Sequence, residues 1–230
     1  MGRLDRLQQT RALLRIWERY AAATMIPKQA YLDNLRLLRA VLSNEALSEG
    51  EFVECGTWRG GMSAAMLELG GQSRHYRFFD SFAGLPLASS IDGAAALEWQ
   101  ADPTGDNYHD NCTASRAEFE ATIALAGVPA DHIHIYEGLF DDTAPRAETG
   151  RIAVLRLDGD WYDSTMTCLQ AFWDKVMPGG LVIVDDYGVW DGCTRAVHDF
   201  LSQRSASEAL CRYGASSVTY LIKRADAGQA

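Results

Sequence analysis

The chain has 230 residues, 47% of them apolar, and a formal net charge of −10, which suits one well-buried α/β domain and is short for two. The acidic balance argues against nucleic acid, whose phosphates are neutralised by Lys/Arg clusters not seen here. No apolar run approaches the roughly 18 residues that span a bilayer, and the start MGRLDRLQQTR is too charged for a signal peptide. The five cysteines, at 55, 112, 168, 193 and 211, form no C-x-x-C pair, so a cytoplasmic protein with reduced thiols and no membrane partner is expected.

In chain order, Leu4, Leu7, Leu14, Trp17 and Tyr20 recur at helical spacing to about Ala23, and a second helix runs from Pro27 to about Ser43 with Tyr31, Leu35, Leu38 and Val41 on one stripe. Residues 1–48 read as a helical lead-in: a cap, a dimer surface or simple packing. A homo-oligomer stays open. Residues 49–230 read as the main domain. EFVEC (51–55) is a strand, followed by a glycine-rich turn and a helix that faces inward with Met62, Ala65, Met66 and Leu69 and stops at Gly70-Gly71. HYRFFD (75–80) is the next strand, followed by a loop-rich stretch from Ser81 to about Ser115 and a helix over 116–126. HIHIY (132–136), IAVLRLD (152–158) and GLVIVDD (180–186) are further strands. Between the last two, a helix from Ser164 carries Leu169, Phe172, Trp173 and Val176 and is broken by Pro178-Gly179-Gly180. A helix through Arg195, Val197 and Phe200 follows Asp186, then strands near 210–213 and 218–222. Near-continuous apolar strands alternating with helices predict a doubly wound, mainly parallel, seven-stranded α/β sheet of the Rossmann-like kind.

In such folds ligands sit beyond the carboxyl ends of the strands. Glu54, Asp80, Glu137, Asp158, Asp160, Asp185 and Asp186 all fall at such ends. After the first strand comes Glu54-Cys55-Gly56-Thr57-Trp58-Arg59-Gly60-Gly61, where glycines let backbone approach a ligand. The spacing is not G-x-G-x-x-G. An acid beside the turn disfavours a pyrophosphate and suits the cationic amino group and sulfonium of S-adenosylmethionine (SAM). Asp80, ending the second strand, is placed to accept from ribose hydroxyls. Asp158-Gly159-Asp160 and Asp185-Asp186 close two further strands. If those strands are neighbours about 4.8 Å apart, four carboxylates converge, and oxygen-only ligands suit Mg²⁺, Mn²⁺ or Ca²⁺.

The segments VECGTWRGGMS, FFDSFAGLP, EGLFDDTAP, LRLDGDWYDST and IVDDYGVWDGCTRAVHDF resemble, in order, the macrocin O-methyltransferase family of SAM- and Mg²⁺-dependent enzymes that methylate deoxysugar hydroxyls. The resemblance runs from about Thr24 to Phe200. It implies that Glu54, Gly56, Ser63, Asp80 and Ser81 line the SAM site, with Gly138 and Phe140 near the adenine and Asp158 alongside. It further implies that Asp158, Asp185 and Asp186 hold the metal and that Asp160 is the general base. Cys55, Thr57 and Trp161-Tyr162-Asp163 depart from the family's usual residues, and the stretch from Leu85 to Cys112 matches poorly, so acceptor specificity is expected there. His198 reads as a helical surface residue. His75, His132 and His134 read as structural, and His109 and Asp110 lie in the variable loop. Trp161 and Trp190 are equally candidates for the acceptor wall and for the core.

The expected reaction is in-line attack of an acceptor hydroxyl, ideally one of a vicinal diol on a small molecule, on the SAM methyl. The metal lowers the hydroxyl pKa and a carboxylate takes the proton. An NAD-dependent oxidoreductase on the same fold would need a G-x-G-x-x-G turn. A non-catalytic SAM- or metal-binding protein is the remaining alternative.

Overall fold

The computed structural model describes residues 3–225. Helices α1 (Arg3–Tyr20) and α2 (Lys28–Leu42) lead into β1 (Glu51–Cys55), α3 (Gly61–Gly70) and β2 (Tyr76–Asp80). The chain continues through α4 (Ala94–Ala101), α5 (Arg116–Ala124), β3 (Ile133–Glu137), β4 (Ile152–Leu157) and α6 (Tyr162–Phe172). It finishes with β5 (Val176–Val184), α7 (Asp191–Gln203), β6 (Cys211–Tyr213) and β7 (Val218–Ile222). The side chain of Leu4, assigned above to the first apolar stripe, lies outside the described residues.

The seven strands form one sheet in the order β3-β2-β1-β4-β5-β7-β6. The pairings among β1 to β5 are parallel; β7 runs antiparallel to β5, and β6 to β7. This is the expected doubly wound sheet, with its order reversing between β1 and β4. One face is covered by α1, α2, α3 and α5 through Leu13, Tyr31, Leu35, Met66 and Phe119, which share a core with Phe52 and Phe78 of the sheet. The other is covered by α6 and α7 through Leu169, Phe172, Val197 and Phe200. The lead-in is thus built into the main core, and the Tyr31 hydroxyl donates to the Gly61 carbonyl at 2.8 Å. Among the described residues no helix is long and apolar enough to cross a membrane.

Two expectations are corrected. Val176 does not face inward from a helix: the helix ends at Phe172, a 3-10 turn spans Trp173–Lys175, and β5 begins at Val176. Pro178-Gly179-Gly180 sits inside β5 as a bulge, between the pairs Ile152↔Val176 and Val154↔Leu181. Proline has no amide to give a ladder, and Gly179 takes φ 82, so the segment bends without ending the strand. The stretch from Ser81 to Ser115 is also more structured than a loop. It contains the alanine-rich α4, preceded by a capping box of Ser89 and Asp92, since AAALEWQA is a strong helix former.

Candidate active site

Gly56 follows β1 with φ 88, and a Cβ there would fall 1.7 Å from the Asp158 carbonyl oxygen, so only glycine lets the ends of β1 and β4 meet. Gly60, at φ 84, caps α3. Asp80 holds this turn in shape: its Oδ2 accepts from the Thr57 amide at 2.7 Å, the Thr57 hydroxyl at 3.1 Å and the Trp58 amide at 2.9 Å. Its Oδ1 accepts from the Phe82 amide at 2.8 Å. The turn, Asp80, Ser81, Gly138 and Phe140 line a cavity of about 370 Å³. Ser81 donates to the Gly84 carbonyl at 2.8 Å, and the Gly138 amide donates to the Asp80 carbonyl at 2.9 Å. The segment from Ala23 to Pro27 forms another wall, so the lead-in shapes this cavity as well.

Glu54 reaches the cavity but is already paired. It is fully buried, accepts from the Ser63 hydroxyl and faces Arg156 Nη1 at 3.0 Å. Burial pushes its carboxyl up to about 7, against the pull of Arg156. Ser63 is itself buried and does not line the cavity; it acts on the site by holding Glu54.

At the far side of the same cavity, β4 and β5 are neighbours and bring the aspartates together. One carboxylate oxygen each from Asp158, Asp160 and Asp186 lies within 4.8 Å of the others. Asp186 is 7% exposed and its Oδ2 accepts from the Asp160 amide at 3.0 Å. Asp160 stands at φ 58, and its Oδ1 accepts from Trp190 Nε1 at 2.8 Å. Asp185 is turned elsewhere: its Oδ1 pairs with Arg156 Nη2 at 2.6 Å. The oxygens that converge are those of Asp158, Asp160 and Asp186, while Asp185, expected among the metal ligands, lines the same cavity but pairs with Arg156.

Like charges crowded on one cavity wall hold protons. Burial, then repulsion from Asp158, raises Asp160 to about 7. Burial also raises Asp158 to about 6, opposed by Arg156, and pushes Asp186 well above the carboxylate range, with Asp160 the next cause. Arg156 is the resident cation, 1% exposed, contacting Asp158 Oδ2 at 2.7 Å as well as Glu54 and Asp185. Sequence reading passed over it, although an arginine inside the apolar run IAVLRL is a signal, because a buried charge requires partners.

Trp161 lines the cavity, and Trp190 acts through Asp160. The remaining histidines lie apart from this chemistry. His198 is exposed, with Nε2 2.9 Å from the Tyr187 hydroxyl. His109 is exposed, its ring 6.3 Å from that of Trp58. His75, His132 and His134 cluster near the amino ends of β2 and β3, away from the aspartates at the carboxyl ends.

A glycine turn after β1, an acid ending β2 and a cavity beyond β4 make this a Rossmann-like methyltransferase fold. The solved O-methyltransferase NovP is similar, with a TM-score of 0.73 and 26% identity, over 88% of this chain and 83% of that one. The chain belongs to the macrocin O-methyltransferase (TylF) family, whose sequence model matches residues 5–221, and it is a SAM-dependent O-methyltransferase. It is 35% identical over 192 residues to 8-demethyl-8-(2,3-dimethoxy-alpha-L-rhamnosyl)-tetracenomycin-C 4'-O-methyltransferase of Streptomyces olivaceus, covering 81% of this chain and 71% of that one. It is 30% identical over 165 residues to mycinamicin III 3''-O-methyltransferase of Micromonospora griseorubida, covering 70% of this chain and 64% of that one.

Proposed function

We propose that the enzyme methylates a sugar hydroxyl of a finished natural-product glycoside, with a divalent cation held among the aspartates. The supporting observation is the single cavity that joins the glycine turn to Asp158, Asp160 and Asp186. The activities for which the relatives are named, on a rhamnosyl tetracenomycin and on mycinamicin III, agree with a glycoside acceptor.

The cavity's charges bear on the form of the acceptor. Among the described residues Arg156 is the one cation that lines the cavity, and it is engaged by three carboxylates. A sugar nucleotide would bring a diphosphate to an acidic wall. Met25, Leu87 and Leu139, which are 37%, 89% and 47% exposed, instead edge the same cavity with apolar surface. An apolar aglycone fits that edge and leaves the sugar to enter.

The residues fit a hard cation: three oxygen donors within 4.8 Å of one another repel enough to hold protons, and an added positive charge relieves this. Asp158 and Asp186 would hold it, with Asp185 kept in reserve by Arg156. When bound, Mg²⁺ would lower the pKa of the acceptor hydroxyl. Asp160 then takes the hydroxyl proton as the O–CH₃ bond forms and the sulfonium S–CH₃ bond breaks. Its value near 7 is matched to that role at neutral pH. Trp190 and the Asp186 carboxylate aim it, and Trp161 and Leu85 keep water from the wall they line.

The test is incubation with SAM and Mg²⁺ plus either neutral deoxysugar glycosides of an apolar aglycone or the matching sugar nucleotides, read by mass spectrometry. Addition of one methyl to a glycoside is expected. Methylation of the nucleotides alone would overturn the acceptor assignment, and full turnover in excess EDTA would overturn the metal.

A further inference from the structure

The stretch from Ser81 to Ser115 is tied to the rest of the molecule by a buried carboxylate that the chemistry above does not use. Asp92 ends the 3-10 turn Ser90–Asp92 and is 4% exposed. Its Oδ2 accepts from the Ser89 amide at 2.8 Å and the Ser89 hydroxyl at 3.1 Å. Its Oδ1 accepts from the Tyr162 amide at 2.7 Å, across 70 positions of sequence. Tyr162 opens α6, and the residue before it, Trp161, offers no side-chain cap. An amide in the first turn of α6 is therefore satisfied from a distant segment.

The same carboxylate lies against the start of α7. A Cβ on Gly192 would stand 2.2 Å from Asp92 Oδ1, so glycine at that position makes the room. The amino ends of α6 and α7 thus meet on one buried anion, which both helix dipoles favour. Both helices begin close to residues that bear on Asp160. Tyr162 follows Asp160 by two positions, and Trp190, which precedes α7 as its N-cap residue, donates to the Asp160 carboxylate. The segment also makes further contacts with the same residues: Trp161 Nε1 donates to the Pro86 carbonyl at 2.9 Å, and the ring of Trp99 lies 6.1 Å from that of Trp161 and 5.8 Å from that of Trp190.

We propose that Asp92 is a positioning residue that couples docking of the 81–115 segment to the geometry of the Asp158-Gly159-Asp160 turn. The segment supplies Leu85, Pro86 and Leu87 to the cavity wall. The base is therefore aligned when the acceptor's wall is in place and relaxes when it is not. The catalytic consequence rests on the methyl-transfer reading; the coupling itself does not.

Hydrogen exchange on the full chain with S-adenosylhomocysteine bound tests this. In Asp92→Ala, exchange is expected to rise at least tenfold both in peptides from 81–115 and in those covering 156–163. Affinity for Mn²⁺ should fall at least fivefold, while affinity for S-adenosylhomocysteine changes less than twofold. Faster exchange confined to 81–115, or to neither region, overturns the coupling. Absence of Mn²⁺ binding in the unaltered enzyme would sink the metal reading and leave the coupling to the exchange data. Tyr162→Pro approaches from the other side, in case Asp92→Ala does not fold. Helices accept proline at their first position, and Trp161 before it is already extended, at φ −92 and ψ 163. The substitution removes the Tyr162 amide that Asp92 accepts and also the hydroxyl that donates to Asp199 Oδ2 at 3.0 Å, so Tyr162→Phe, which loses the hydroxyl alone, is its control. Exchange across 81–115 should rise in Tyr162→Pro and not in Tyr162→Phe; unchanged exchange in Tyr162→Pro, or an equal rise in both, also overturns the proposal.

Discussion

Asp160 occupies a left-handed backbone conformation, φ 58, which aspartate tolerates better than most side chains but which still costs on the order of 1 kcal/mol. Its amide bond to Asp186 and its carboxylate bond to Trp190 hold it there. Asn accepts the same backbone and the same indole bond but cannot take a proton. Asp160→Asn should slow turnover by roughly 10²–10⁴, with SAM affinity by calorimetry unchanged; near-normal turnover would return Asp160 to a structural role. Asp80 has a double duty. Both of its oxygens already accept from protein donors, so Asp80→Ala should do more than remove a contact for ribose. It leaves the Thr57 and Trp58 amides without their acceptor, at about 1–3 kcal/mol. SAM affinity should fall at least tenfold and the melting temperature should drop with it, both readable in one calorimetric series. Unchanged affinity would take Asp80 out of the site.

Elements, rather than single residues, decide whether β1 and β4 can meet. Gly56 combines φ 88 with a Cβ position 1.7 Å from backbone, so Gly56→Ala must part the two strand ends. A loss of about 2 kcal/mol or more in urea unfolding is expected, together with loss of SAM binding; a variant that binds normally would show the turn to be pliable. The parallel strands β1, β2, β4 and β5 were legible because each is an apolar run closed by an acid or a glycine, and the run's length separates strand from helix. The convergence of β4 and β5 could be read as well, since an aspartate ended each. The β5 bulge was not legible, because Pro178-Gly179-Gly180 has the composition of a helix stop and only pairing with β4 reveals it. Nor could the preference of Asp185 for Arg156 be read, or the service of Ser63 to Glu54. Both are ion pairs or hydrogen bonds between elements, and spacing along the chain carries no trace of them. The helix α4 was hidden by its flanks: Ser89 and Asp92 cap the 3-10 turn before it, and its own N-cap is Gly93, with no side-chain cap to announce it.

At the scale of the molecule, whose net charge is −10, the acids of the cavity govern how stability varies with pH. Asp158 and Asp160, raised to about 6 and about 7, make the folded protein bind more protons than the unfolded chain. Their contribution to stability is therefore complete below the ordinary aspartate value of about 3.9 and is lost as pH rises through 6 and 7. His134 works in the opposite direction. Burial first, and Arg77 next, lower its pKa, so its contribution is present above about 6.5 and is lost as pH falls through the depressed folded value. The melting temperature of the metal-free enzyme mixes the two. The difference between Mg²⁺-loaded and metal-free samples cancels the histidine and should widen from pH 5.5 to about 8. A difference that stays flat would mean that the cation does not engage these aspartates.

The raised carboxylates have a further consequence for how the enzyme is charged for work. A group that is part-protonated at neutral pH must give up its proton before it can ligate, so loading the proposed cation would be an exchange of ions rather than a simple capture. Each enzyme molecule that takes up Mn²⁺ should acidify a weakly buffered solution. The apparent heat of binding should also shift between phosphate and Tris in proportion to their heats of ionisation. Slight acidification of the medium would then idle the catalyst by returning protons to Asp158 and Asp160, with the fold left standing. The site would answer to pH through its occupancy. Equal binding heats in the two buffers would show that the aspartates are already ionised before the metal arrives.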